Sequence, residues 1–95
     1  MKGKRIPNSL KKYRKQAGLK QKEVAKIIGL KSSSLISRWE RGICFPKPLN
    51  MFKLAILYQT MVDALFYDVR RTLIEEIKEG KRNAMKEGEN MMTKE

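Results

Sequence analysis

This sequence predicts an all-α fold: a five-helix bundle extended by a C-terminal amphipathic helix. Three observations carry that expectation. Prolines occur only at positions 7, 46 and 48, so nothing forbids helices between Ser9 and Arg41 or beyond Leu49. The alternation of β-branched residues that marks strands is absent throughout. Apolar residues instead recur at helical spacing, in segments punctuated by glycines that can end a helix.

Asn8 or Ser9 caps a first helix whose apolar face is Leu10, Tyr13 and Ala17, with Lys11, Lys12 and Lys15 left for solvent and Gly18 as the stop. A second helix, from about Gln21 to Ile28, buries Val24, Ala25 and Ile28 and ends at Gly29. Ser32 or Ser33 caps a third, in which Leu35, Ile36 and Trp39 face inward. Its Ser33, Ser34, Ser37 and Arg38 lie largely on the opposite side, and Gly42 ends it. Phe45-Pro-Lys-Pro is a loop. A fourth helix near Leu49–Tyr58 offers Met51, Leu54, Ala55 and Tyr58 to the core, and a short fifth, about Met61–Phe66, offers Val62, Leu65 and Phe66. Beyond Tyr67, Val69, Leu73, Ile74 and Ile77 recur at helical spacing among Arg70-Arg71 and Glu75-Glu76, which predicts an amphipathic sixth helix ending near Gly80. Lys81–Glu95 is polar and reads as a flexible tail. The expected organisation is a basic arm over 1–8, a domain over 9–68, a helix over 69–80 and a tail over 81–95.

Ninety-five residues suffice for one small domain with an extension. A formal net charge of +12 makes polyanions the expected partners, nucleic acid before a membrane surface. The charge is uneven: residues 1–68 hold fifteen basic and four acidic side chains, residues 69–95 seven and six. One cysteine, Cys44, and no histidine leave no intramolecular disulfide and no usual zinc ligand set, so neither metal nor cofactor is expected. No segment approaches the ~18 apolar residues of a membrane span, and the N-terminal charges are followed by no apolar core. A reduced, soluble, cytoplasmic protein is the expectation. Catalysis is not expected either: there is no glycine-rich phosphate loop, and Glu75-Glu76 lie on adjacent helix faces rather than paired in an apolar setting.

Two short helices joined by a glycine-containing turn, inside a strongly basic domain, have the form of a helix-turn-helix, in which one helix braces and the next enters the major groove. The segments Gly18-Leu-Lys-Gln-Lys-Glu-Val-Ala-Lys-Ile-Ile-Gly29 and Ile36-Ser-Arg-Trp-Glu-Arg-Gly42 resemble the lambda-repressor/Cro, or Xre-like, helix-turn-helix family. The resemblance covers about residues 9–67 and includes Arg14, Gln21, Ala25, Ile36, Glu40, Gly42, Leu54-Ala55 and Leu65-Phe66. The chain departs from the family pattern at three places. Lys20 stands where Thr or Ser is usual, Gln59 where glycine is common between helices 4 and 5, and Leu30-Lys-Ser-Ser-Ser makes the turn one residue longer.

The resemblance implies DNA binding and assigns roles. Gln21, at the first turn of helix 2, reaches a backbone phosphate. Ser33, Ser34, Ser37 and Arg38 meet the groove, Arg38 by a bidentate pair to guanine and the serines by single or water-mediated bonds. The plainer alternative for Arg38 is a phosphate clamp, and for Gln21 a solvated helix start. Short serines discriminate bases weakly, so either modest specificity per half-site or reliance on dimerisation and DNA shape follows. Lys20, Lys22, Lys31, Arg41 and Lys47 are candidates for phosphate contacts, and Lys2, Lys4 and Arg5 form an arm that can follow the backbone or enter a minor groove. Arg14 and Glu40 resemble the family's structural ion pair. Trp39 is expected in the core rather than as a base-stacking platform.

The sixth helix is read as a homodimer seam, because symmetric half-sites require a dimer. The alternative is an antitoxin-type interaction protein whose Val69–Ile77 segment and tail bind a protein partner while the helix-turn-helix binds DNA. Lipid and RNA are disfavoured: the basic stretch also encodes a helical core, and a groove helix suits B-form DNA better than the narrow A-form major groove. The functional expectation is a sequence-specific double-stranded DNA-binding regulator, a repressor acting by promoter occlusion.

Overall fold

Asn8, held after Pro7, opens the first helix: its side-chain oxygen accepts the Leu10 N–H at 3.0 Å, while Ser9 makes no side-chain cap. A computed structural model describes the backbone of residues 4–94 and the side chains of residues 4–88. Six helices follow one another: α1 (Leu10–Gln16), α2 (Gln21–Ile28), α3 (Ser34–Glu40), α4 (Pro48–Leu57), α5 (Val62–Leu65) and α6 (Tyr67–Lys94). No strand occurs among the described residues. Pro48 is the first residue of α4, where its missing N–H leaves no bond unmade.

Four of these helices close in the same way. After α1 the Gly18 N–H returns to Lys15 O at 3.0 Å and the Leu19 N–H to Arg14 O at 3.2 Å. The equivalent outer bonds are Leu30 to Ala25 at 2.7 Å, Ile43 to Arg38 at 3.0 Å and Thr60 to Ala55 at 2.9 Å. This double return needs a left-handed residue after the helix. Gly18, Gly29 and Gly42 supply it three times, and Gln59, at φ +55°, supplies it after α4. Gly42 is constrained further, because a Cβ there would fall on the Ile6 carbonyl oxygen.

The core is Leu10, Val24, Ala25, Ile28, Ile36, Trp39, Leu54, Ala55, Tyr58, Leu65 and Phe66. Here α2 packs on α3 and α4, α1 on α3, α4 on α5, and α5 on the start of α6. Burying the larger aliphatic and aromatic side chains among these contributes roughly 1.5–3 kcal/mol each. Met51, Val62 and Val69 pack against the core from its edge.

Three expectations need correction. Ala17 is exposed, because α1 has already ended and Ala17 is its C-cap; the inward place one turn after Leu10 is taken by Arg14. Leu35 is 39% exposed, since a seven-residue helix that turns Ile36 and Trp39 inward carries the preceding residue about 100° round to the rim. The sixth helix does not stop near Gly80: it begins at Tyr67 and continues to Lys94. Gly80 and Gly88 each cost about 1 kcal/mol relative to alanine. The intervening Lys, Arg, Glu, Ala and Met residues are strong helix formers, no proline interrupts them, and Glu75–Lys78 and Glu79–Arg82 pair along the surface.

Candidate nucleic-acid interface

The C-terminal end of α3 is fixed by a buried polar knot. Arg14 Nε lies 2.6 Å from Glu40 Oε2 and its Nη2 lies 3.1 Å from Oε1, a bidentate pair whose side chains are 11% and 4% exposed. Arg14 Nη1 donates to Leu19 O at 2.9 Å, tying the α1–α2 turn into the same knot. Gln21 Nε2 donates to Glu40 Oε1 at 2.9 Å. Glu40 is thus satisfied from α1 and α2 together, and no buried side-chain polar atom among the described residues lacks a partner. The hydrogen bond to Glu40 raises the Arg14 pKa above its ordinary value, against the opposing effect of burial. Tyr58, packed beside the pair, is pushed up to about 12, by burial first and the Glu40 charge second.

With α3 so anchored through Ile36, Trp39 and Glu40, its other side faces solvent. Ser34, Ser37, Arg38 and Arg41 fall at i, i+3, i+4 and i+7 on one stripe. Ser34 and Arg38 are exposed, Ser37 is half-buried, and Arg41 Nε donates to Ser37 Oγ at 3.2 Å. Ser33 is the N-cap of α3 and half-buried. Ser34 shares a 2.9 Å hydroxyl hydrogen bond with Ser32. Lys20, Lys22, Lys31, Arg41 and Lys47 are all exposed. Lys20 is the N-cap of α2, where an ammonium cannot accept a helix N–H; Glu23 compensates by accepting the Lys20 N–H at 2.7 Å. Lys47 is the N-cap of α4.

Gln21 is more committed than its sequence position suggests. One amide hydrogen is directed to Glu40, which leaves the other hydrogen and the carbonyl oxygen for a partner outside.

The segment preceding α1 is also held. Ile6 N–H donates to Gly42 O at 2.8 Å, and Arg5 Nη1 to Arg41 O at 3.2 Å. Asn8 Nδ2 reaches Ile6 O at 3.0 Å, Trp39 O at 3.1 Å and Glu40 O at 3.4 Å. Asn8 therefore caps α1 with its oxygen and the last turn of α3 with its nitrogen. Sequence reading offered Asn8 or Ser9 for the first role, and the structure gives it to Asn8; no local signal announces the second, which spans more than thirty residues. Arg5 is accordingly tied at the end of α3, and Lys2 lies outside the described residues. Lys53, likewise unremarked in the sequence, donates to Ile28 O at 3.1 Å and closes the end of α2.

No described helix is long and apolar enough to cross a membrane. The helix-turn-helix family model HTH_3 matches residues 10–63, from the first residue of α1 into α5. Among curated proteins and solved structures, no significant match is found. The matched span contains the whole Arg14–Gln21–Glu40 knot and the exposed stripe of α3, and excludes α6. Members of that family are DNA-binding regulators, and the bundle of α1 to α5 has the lambda-repressor-like form. A bracing helix, a glycine turn, a second helix with a polar outer face and a family match over more than half its length lead to one conclusion: this chain belongs to the Xre/lambda-repressor-like helix-turn-helix family.

Proposed function

We propose that this protein is a sequence-specific double-stranded DNA-binding transcriptional regulator, a homodimeric repressor acting in the cytoplasm. The observation that carries the reading is the outer stripe of α3, polar and basic, on a helix whose inner side is locked by Glu40 to both α1 and α2. A helix so presented can lie in a major groove without repositioning. Arg38 pairs with guanine, Ser33, Ser34 and Ser37 add single or water-mediated bonds, and Gln21 offers its remaining amide hydrogen to a phosphate. Lys20, Lys22, Lys31, Arg41 and Lys47 supply the electrostatic attraction. We assign it no catalytic site.

A second reading, an antitoxin-type protein that also grips a protein partner, is supported by an unpartnered apolar face on α4, where Leu49, Phe52 and Ile56 are 75%, 61% and 76% exposed. Co-purification of an unrelated protein with the tagged chain would favour it. The primary test is selection of bound fragments from a random double-stranded pool, with wild type and a Ser33/Ser34/Arg38 triple alanine variant. An inverted repeat enriched by the wild type alone is expected. Salt-sensitive binding with no enriched motif would overturn sequence-specific readout through α3.

A further inference from the structure

The four consecutive carbonyls of Trp39, Glu40, Arg41 and Gly42, at the end of α3, each accept a hydrogen bond from the segment that precedes α1. Asn8 Nδ2 donates to Trp39 O at 3.1 Å and to Glu40 O at 3.4 Å, Arg5 Nη1 to Arg41 O at 3.2 Å, and the Ile6 N–H to Gly42 O at 2.8 Å. The last carbonyls of a helix lack intrahelical donors and gather at the negative end of its dipole, so amides and a guanidinium are the groups that suit them. The strap is itself anchored. Asn8 Oδ1 accepts the Leu10 N–H at the start of α1, and the Ser9 N–H donates to Leu65 O of α5 at 2.8 Å. One side chain, Asn8, therefore joins the beginning of α1 to the backbone at the end of α3.

The opposite end of α3 is held much less. Its N-cap, Ser33, makes no side-chain cap bond, Lys31, Ser32 and Ser34 are exposed, and the Ser32–Ser34 hydroxyl bond is local to the turn. The seven residues of α3 span about 10 Å at the standard helical rise, so a tilt of roughly 10° about the clasped end moves Ser34 by about 2 Å. A hydrogen bond to a base edge tolerates only a fraction of that displacement. The pose of the outer stripe is thus decided at the C-terminal end of the helix. There the Arg14–Gln21–Glu40 knot acts through a side chain with rotatable bonds, whereas Asn8 holds the backbone itself.

We infer that Asn8 is a positioning residue for DNA reading: without touching DNA, it sets the pose from which Ser34, Ser37 and Arg38 meet base edges. The inference rests on the sequence-specific reading proposed above and adds a residue that governs its specificity. Loss of the Asn8 amide spares attraction, because lysines on flexible stems re-aim at phosphates after a small shift of the helix. Discrimination is lost, because serine hydroxyls are too short to follow the displaced bases.

Two full-length variants test this. Asn8→Ser keeps a hydroxyl that can cap α1 and removes the amide that reaches α3, while Asn8→Asp keeps the stronger cap and sets a carboxylate against the Trp39 and Glu40 carbonyls. Circular dichroism should show both folded at the assay temperature; if Asn8→Ser is not, Asn8→Asp carries the comparison. On the duplex selected by the wild type, Asn8→Ser should bind about tenfold more weakly, roughly the worth of one base contact. Its affinity for a random duplex should stay within about twofold and its salt slope should not change, since no phosphate contact is lost. Asn8→Asp should lower the ratio of selected to random binding at least as far. In the Asn8→Ser background, Arg38→Ala should also cost less than it does in the wild type, because the contact it removes is already impaired. Variants that discriminate as well as the wild type, an equal loss on both duplexes, or additive effects with Arg38→Ala would overturn the inference and leave Asn8 a cap of α1. A wild type that prefers no duplex would instead overturn the sequence-specific reading itself, before any variant is compared.

Discussion

Gln59 is, among the described residues, the one non-glycine with positive φ. A side chain there costs about 1–2 kcal/mol against the following carbonyl, and glycine would return roughly 0.5–1 kcal/mol of that to chain entropy. Gln59→Gly should therefore stabilise the protein by about 0.5–1 kcal/mol, read as a higher urea midpoint at unchanged slope; a lower midpoint would mean that the glutamine side chain makes contacts worth more than the strain. Tyr58 gives a prediction in pH. Its phenol is held protonated up to about 12, above the ordinary 10, so the native state keeps its proton where the unfolded chain has lost one. That contribution is fully present below pH 10 and is lost as pH rises towards 12. The melting temperature of Tyr58→Phe should fall less steeply than that of wild type across this interval; parallel curves would show that the burial of Tyr58 leaves its titration unaltered.

Among the elements, α6 differs from the others in how it is supported. The helices α1 to α5 are too short to stand alone and hold one another through a shared core, whereas most of α6 lies beyond that core. Val69 is the last of its hydrophobic residues packed against the core, and Arg70 adds an ion pair to Asp63 of α5 at 3.1 Å. Truncation after Arg71 should thus leave the bundle folded, with a cooperative melt, while the mass in light scattering falls from dimer to monomer. A truncated chain that remains dimeric would shift the interface to the exposed apolar face of α4.

Taken as a whole, the proposed function separates attraction from discrimination. The net charge of +12 draws any polyanion, and phosphate contacts release counterions irrespective of sequence. Lys22→Ala should weaken binding to all DNA alike and lower the salt slope by about one ion. Arg38→Ala should cost about 1–3 kcal/mol on the selected site and flatten preference at one base pair. If both variants behave in the uniform manner, Arg38 is a phosphate clamp and the specificity lies in DNA shape or in the dimer.

Sequence alone determined the order of the first five helices, the glycine stops of the first three and the buried Val24, Ala25, Ile28, Ile36 and Trp39, because capping, breaking and helical periodicity act over a few residues and are written locally. The charge asymmetry and the motif around Gln21–Gly42 likewise made the helix-turn-helix legible. Tertiary structure decided the rest. Leu35 and Ala17 reach solvent because α3 and α1 are too short to turn a second flank inward, and Gln21 is half spent on Glu40, nineteen residues away. Asn8 and Arg5 clasp the end of α3, and Gly42 is required because Ile6 passes against it. Such contacts arise only when distant segments meet around one core, so no local pattern of residues encodes them.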